Sequence, residues 1–252
     1  MKIPIGENYL KGELNVPDEA AGIVLFAHGS GSNRHSPRDQ FVARIIRRSG
    51  IGTLLFDLLT RREESIDTIT QRLQFDIGFL AERMSRVRVW LKHRSDTRNL
   101  GVGFFGSSTG GGVALVAAAE LGSDLEAVVS RGGRPDLADG VLPKVIAPTL
   151  LIVGERDNSL VEMNSWAFER LSCKKEMQVV SNATHLFEEP GTLEEVASLA
   201  TDWFKEHLTN GKKPEENSVT EDEKNFKNEL LIIKQAENPS DDLIFNSRFE
   251  NP

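Results

Sequence analysis

Gly106-Ser107-Ser108-Thr109-Gly110 stands between an apolar run, Leu100 to Phe105, and a stretch of small residues, Gly111 to Leu121, that reads as a helix. A G-x-S-x-G segment in that setting predicts a sharp, strained turn from strand to helix with the central serine at its tip. Backbones approach closely on either side of such a turn, so the positions two before and two after the serine must be small. Gly106 and Gly110 meet that requirement, and Ser108 becomes a candidate nucleophile.

Working outward, short apolar runs recur on both sides of this turn. Lys2 to Ile5 and Leu10 to Val16 flank Gly6-Glu7-Asn8 and predict a hairpin that Pro17-Asp18 ends. Strand candidates follow at Ile23 to Ala27, Thr53 to Phe56, Leu100 to Phe105, Ala127 to Ser130, Thr149 to Val153 and Met177 to Val180, alternating with helical patterns. Such alternation predicts an α/β domain, an eight-stranded and mostly parallel sheet with helices on both faces. Ser36-Pro37 places a capping hydroxyl before a proline at the first helical position, with Phe41, Val42, Ile45 and Ile46 as the buried face. Ile66, Ile69, Leu73, Ile77, Leu80, Met84, Val87 and Leu91 follow steps of three and four, which predicts one long amphipathic helix on the sheet. Its Arg72, Arg83, Arg86 and Arg88 then form a solvated face. No long insertion separates Ser130 from Thr149, so no large lid domain is expected.

A chain of 252 residues with 39% apolar content can bury one sizeable core, placed here at residues 1-208. Residues 209-252 change texture at Gly211-Lys212-Lys213-Pro214-Glu215-Glu216, a polar linker, and Thr220 with Glu223 suggests a capping box for one helix in the tail. The net charge of -8 argues against nonspecific nucleic-acid binding, and about half of that excess lies after Asn210. The single cysteine, Cys173, excludes an internal disulfide framework and fits a reducing compartment. With no apolar run of membrane length and no signal-peptide core after Met1-Lys2, a soluble cytoplasmic protein is expected, without membrane or nucleic-acid partners.

A serine becomes a nucleophile only when a base takes its proton, the base is held in one tautomer, and preplaced donors meet the oxyanion. His185, just after the last strand candidate, is the candidate base; His93 and His207 sit near helix ends, and His35 is the weaker choice. Asp157, in Gly154-Glu155-Arg156-Asp157, is the candidate orienting acid, with Glu155 its close competitor. The chain order Ser108, Asp157, His185, each at a strand's carboxyl end, fits one triad architecture. The N–H of Thr109 is the first oxyanion donor and that of Ser30 the second, Gly31 being the alternative. His28 reads as a brace for this loop. No His, Cys and carboxylate cluster has metal-ligand spacing, and no cofactor is expected.

Phe26 to Ser32, Phe105 to Gly110, Gly154 to Asp157 and Ala183 to Phe187 together resemble the α/β-hydrolase superfamily. Within it the chain resembles the dienelactone-hydrolase-like branch, including bacterial members found beside or fused to phosphoribosyltransferase domains. The resemblance covers roughly residues 2 to 208 and implies a Ser-His-Asp hydrolase of esters or lactones, acting through an acyl-serine. True dienelactone hydrolases carry cysteine where this chain has Ser108, so their lactone is not carried over. The expected partners are a small-molecule ester or lactone and, among proteins, a second copy or a phosphoribosyltransferase-related chain.

By analogy with the superfamily's strand order, residues past Ala27 and Ser130 rim the pocket. Arg34, Arg38 and Arg131 are therefore candidate substrate-binding residues for a carboxylate or phosphate; they could equally pair with Asp39, Asp57 or Asp136 and brace loops. Two other readings compete. Gly101-Val102-Gly103-Phe104-Phe105-Gly106 matches a dinucleotide fingerprint, but its glycines fall inside the strand rather than after it. The other is a noncatalytic scaffold of the same fold that binds a ligand or partner, and among enzymes a thioesterase or acyltransferase would use the same triad.

Overall fold

The structure is a computed structural model and describes residues 1–208. The expected linker and tail helix lie outside the described residues. Eight strands are present: β1 (Lys2–Ile5), β2 (Asn8–Asn15), β3 (Gly22–Ala27), β4 (Gly52–Phe56), β5 (Gly101–Ser107), β6 (Ala127–Arg131), β7 (Thr149–Gly154) and β8 (Lys175–Val180). They form one sheet in the order β1-β2-β4-β3-β5-β6-β7-β8. The β1–β2 hairpin turns on Gly6, whose φ of +54° suits glycine, and β2 joins β4 antiparallel. All remaining neighbours are parallel. In register, Gly106 lies between Ala27 and Ser130, and Ser107 beside Arg131, so the loops after β3, β5 and β6 meet at one rim.

Helices cover both faces, as a parallel sheet requires. On one face α1 (Pro37–Arg48) and α6 (Thr192–His207) bury Val42, Ile46, Val196, Ala200 and Phe204 against Val24, Phe26, Phe105, Val129 and Ile152. Each of the larger of these side chains contributes on the order of 1.5–3 kcal/mol. The Ser36 hydroxyl accepts from Asp39 N at 3.3 Å and starts α1 where the sequence placed it. A Cβ on Gly103 would stand 2.7 Å from the Phe204 ring, so this glycine serves helix-to-sheet packing. That accounts for one glycine of the dinucleotide-like pattern inside β5. The other face carries α3 (Ile77–Lys92), α4 (Thr109–Leu121) and α5 (Asn158–Arg170).

The expected continuous helix from Ile66 to Leu91 is in fact two. A shorter helix, α2 (Arg61–Thr70), ends at Gln71 with φ of +51°, a 3₁₀ turn covers Leu73–Phe75, and α3 follows. The break has a local cause. Asp67 accepts from Leu73 N at 2.7 Å, from Gln74 N at 3.1 Å and from the Thr70 hydroxyl at 3.4 Å, and Asp76 caps α3 by accepting from Phe79 N. These bonds give the backbone an alternative to the helical ladder. Hydrophobic spacing alone did not show it. Consequently Ile69 is 87% exposed, and Ile66 and Phe75 are also exposed.

The arginines divide too. Arg72 is exposed and Arg86 pairs with Glu82 on the surface, but Arg83 and Arg88 are buried. Arg83 reaches Glu63 at 2.6 Å, while Glu63 also closes a capping box with Thr60 at the start of α2. Arg88 donates twice to the Asp124 carbonyl, at 3.2 and 2.9 Å. Their long stems bury while each guanidinium finds an acceptor. Replacing Asp67 by Ala should leave Leu73 N, Gln74 N and the Thr70 hydroxyl without their acceptor and cost about 1–3 kcal/mol. Urea unfolding would measure the loss and hydrogen exchange should rise across residues 61–76; unchanged exchange there would show that the turn holds without the carboxylate.

Candidate active site

Ser108 sits between β5 and α4 with φ of 53° and ψ of -122°, a conformation that costs a non-glycine residue roughly 1–3 kcal/mol. Three backbone bonds hold it there. Its N–H donates to the Arg131 carbonyl at 3.1 Å, and its own carbonyl accepts from Gly111 N at 2.9 Å and Arg134 N at 3.0 Å. A Cβ on Gly106 would fall 2.3 Å from the Gly110 carbonyl oxygen, and one on Gly110 would fall 2.1 Å from that of Ala27. Both flanking glycines are therefore steric requirements. Thr109 opens α4, where the first N–H groups have no partner within the helix and the dipole favours negative charge.

The loop after β3 lies against this turn. A Cβ on Gly29 would come within 3.2 Å of the Ser108 Cβ. His28 braces the loop: its Nε2 accepts from Leu58 N at 3.2 Å, so the ring proton is on Nδ1 and donates to the Gly29 carbonyl at 3.0 Å. The N–H of Ser30 donates to the Thr109 hydroxyl at 2.7 Å. Sequence reading had this N–H standing free for an oxyanion; here a side chain from the first turn of α4 occupies it.

Asp157 and His185 meet. The Asp157 Oδ2 accepts from His185 Nδ1 at 3.0 Å, while its Oδ1 caps α5 by accepting from Leu160 N at 3.4 Å. The competitor Glu155 is engaged elsewhere, accepting from Asn182 N at 2.7 Å at the start of the His185 loop. Thr184 N donates to Glu189, and Asn182 and Phe187 both take positive φ, so the loop is tightly shaped. A Cβ on Gly132 would stand 3.4 Å from two atoms of the His185 ring. Arg131, the preceding residue, accepts the Ser108 N–H. Imidazole and elbow thus bear on consecutive residues at the end of β6.

The three candidate arginines each face a carboxylate. Arg34 pairs with Asp57 and lies 3.7 Å from Glu13, and Arg38 pairs with Glu188. Arg131 is buried, 3.6 Å from Asp39 and 5.8 Å from the centre of the Phe187 ring. Burial lowers its pKa from the ordinary arginine value, Asp39 opposes that shift, and Arg38 adds to it. Beside it the Ser107 hydroxyl donates to Asp39 at 3.2 and 3.3 Å. Asp39 is among the partners the sequence leaves open to Arg131, but the Ser107 hydroxyl that joins them is not, because the three come from α1, β5 and β6 and no spacing links them. Among the described residues no group of three or more His, Cys, Asp or Glu side chains could hold a metal ion, and no helix is long and apolar enough to cross a membrane.

The family model described as "Dienelactone hydrolase family" matches residues 10–209. The chain belongs to that family. A dienelactone hydrolase from Anabaena variabilis ATCC 29413 is 55% identical with a TM-score of 0.81, the match covering 82% of this chain and 96% of that one. Est1E from Butyrivibrio proteoclasticus shares the fold at 14% identity, with a TM-score of 0.69 over 82% of this chain and 97% of its own. Among curated relatives, a Mycobacterium tuberculosis H37Rv protein named "Putative phosphoribosyl transferase" is 52% identical over 208 residues, 82% of this chain and 46% of that protein. The chain thus spans about half the length of the curated relatives it matches.

Within this family member, changing Asp39 to Ala should leave Arg131 as a buried charge without its counter-ion, at a cost of roughly 3–5 kcal/mol. Ser107→Ala removes only a neutral donor and should cost about 1 kcal/mol. Urea unfolding of the two variants gives the comparison; a loss below about 1 kcal/mol for Asp39→Ala would mean that Arg131 escapes to water.

Proposed function

We propose that this dienelactone hydrolase family member is a serine hydrolase that cleaves carboxylic esters or lactones of small soluble substrates. One observation carries the reading: a strained serine at the head of α4 and an aspartate-held imidazole bear on consecutive residues at the end of β6, the serine on Arg131 and the imidazole on Gly132. In this reading Ser108 is the nucleophile, His185 the general base and then acid, and Asp157 the group that fixes the tautomer with Nε2 free to accept a proton. The Ser108 hydroxyl attacks the ester carbonyl as His185 takes its proton. The oxyanion so formed meets the Thr109 N–H. Protonated His185 then gives its proton to the leaving alkoxide, which departs as the alcohol and leaves acyl-Ser108. A water, deprotonated by His185, attacks the acyl group, and Ser108 leaves with the proton as the acid is released.

Ser30 serves as second donor once the Thr109 hydroxyl, which now accepts its N–H at 2.7 Å, turns away. Loss of an oxyanion donor costs about a hundred- to a thousandfold in kcat, so this exchange of partners matters to rate. The transferase name of the curated relatives belongs to polypeptides of roughly twice the matched length, and the shared half is the one that carries the elbow and the His185 loop. We carry over only the hydrolase reading, with a phosphoribosyltransferase-related polypeptide as a proposed partner. A reducing, cytoplasmic setting is part of the same proposal and rests on the lone Cys173.

Ser108→Ala should abolish hydrolysis of p-nitrophenyl acetate and labelling by a fluorophosphonate, with an unchanged circular dichroism spectrum. Ser107→Ala should keep most of both. The opposite ranking would transfer the nucleophile to the neighbouring hydroxyl, and labelling of neither site in the wild-type protein would reject the hydrolase.

A further inference from the structure

A hollow of about 230 Å³ opens beside the elbow, between the loop after β3 and helix α2. Gly29, which packs on Ser108, borders it on one side, and Glu64, Asp67 and Thr68 of α2 border it on the other. Sites for whole drug-sized ligands run to roughly 300–1,000 Å³, so this one suits part of a substrate. Leu58 and Leu80 contribute apolar surface, and the rim carries the hydroxyls of Ser30 and Ser32 and the amide of Gln74.

Its charges are all of one sign. Among the described residues no lysine or arginine lines it. Both ring nitrogens of His28 are already bonded to backbone groups. Asp67 spends its oxygens on Leu73 N, Gln74 N and the Thr70 hydroxyl, and Glu64 stands exposed one turn into α2. The nearby Arg34 is committed to Asp57 and Glu13. An anion placed here would meet carboxylates, and among the described lining residues there is no lysine or arginine to offset them.

We propose that this hollow is a substrate subsite for a hydrogen-bonding group without negative charge, hydroxyl or ammonium, and that Glu64 sets the discrimination against anions. The proposal rests on the hydrolase reading and reverses the anion preference that the arginines suggested from sequence. Two ester series test it, one varied at the end of the acyl chain and one at the end of the alcohol, each ending in hydroxyl, trimethylammonium or carboxylate. In at least one series kcat/KM should be roughly fivefold or more lower for the carboxylate, through KM. Glu64→Gln should shrink the gap between cation and anion, and Glu64→Lys should invert it. In parallel, choline acetate and a succinate monoester are titrated into Ser108→Ala, following the backbone amides of residues 29–33 and 64–74 by NMR. The cation should shift these amides and the anion should not.

Equal or better turnover of the carboxylate in both series, or ratios unmoved by both Glu64 variants, overturns the subsite and leaves the hydrolase standing. No turnover of any ester, with the cation still shifting those amides, overturns the hydrolase and leaves the subsite. No turnover and no shift overturns both.

Discussion

The backbone of Ser108 is the constraint on which the rest depends. A non-glycine residue at φ of 53° is uphill, and it persists only because β3, β5, β6 and α4 crowd around it. Gly106 lets the first turn of α4 lie on β5, and Gly110 lets the same turn lie on the end of β3. Bonds from Ser108 to Arg131, Gly111 and Arg134 then lock the turn to the end of β6. The parallel sheet supplies that crowding, since its strands end together at this rim. Strain of about 1–3 kcal/mol is small against the burial of the central strands, and it fixes the hydroxyl at the mouth of a helix.

Much of this was legible in the sequence, for identifiable reasons. The central strands announce themselves as short apolar runs because they are buried on both faces, and the more polar β1–β2 pair is legible from the turn residues that bound it. The elbow is legible because its glycines are steric necessities. What escaped was fixed by side chains reaching across the fold or back onto the local backbone. Hydrophobic spacing carried one helix straight through Asp67, whose carboxylate instead captures Leu73 N and Gln74 N. Asp157 is preferred to Glu155 from the sequence, and in the fold both carboxylates address one loop, Glu155 at Asn182 and Asp157 at His185.

The arginines show how charge pairing stays open in one dimension. Arg34, Arg38 and Arg131 do cluster near the loops after β3 and β6, as their positions implied, yet Asp57, Glu188 and Asp39 meet them. For Arg131 the partner is itself buried, so the pair is built into the domain beneath the elbow rather than offered to solvent. Ion pairs of this kind specify an arrangement more than they add net stability, because each charge gives up its hydration to be there.

The two oxygens of Asp157 divide their duties between a helix and an imidazole. Anything that frays the first turn of α5 therefore also frees the ring of His185 to rotate. On the proposed mechanism, mild heating or dilute denaturant would then silence the protein while most of the sheet stays intact, and the temperature at which activity fades would report on a single helix end, well ahead of the collapse of the domain.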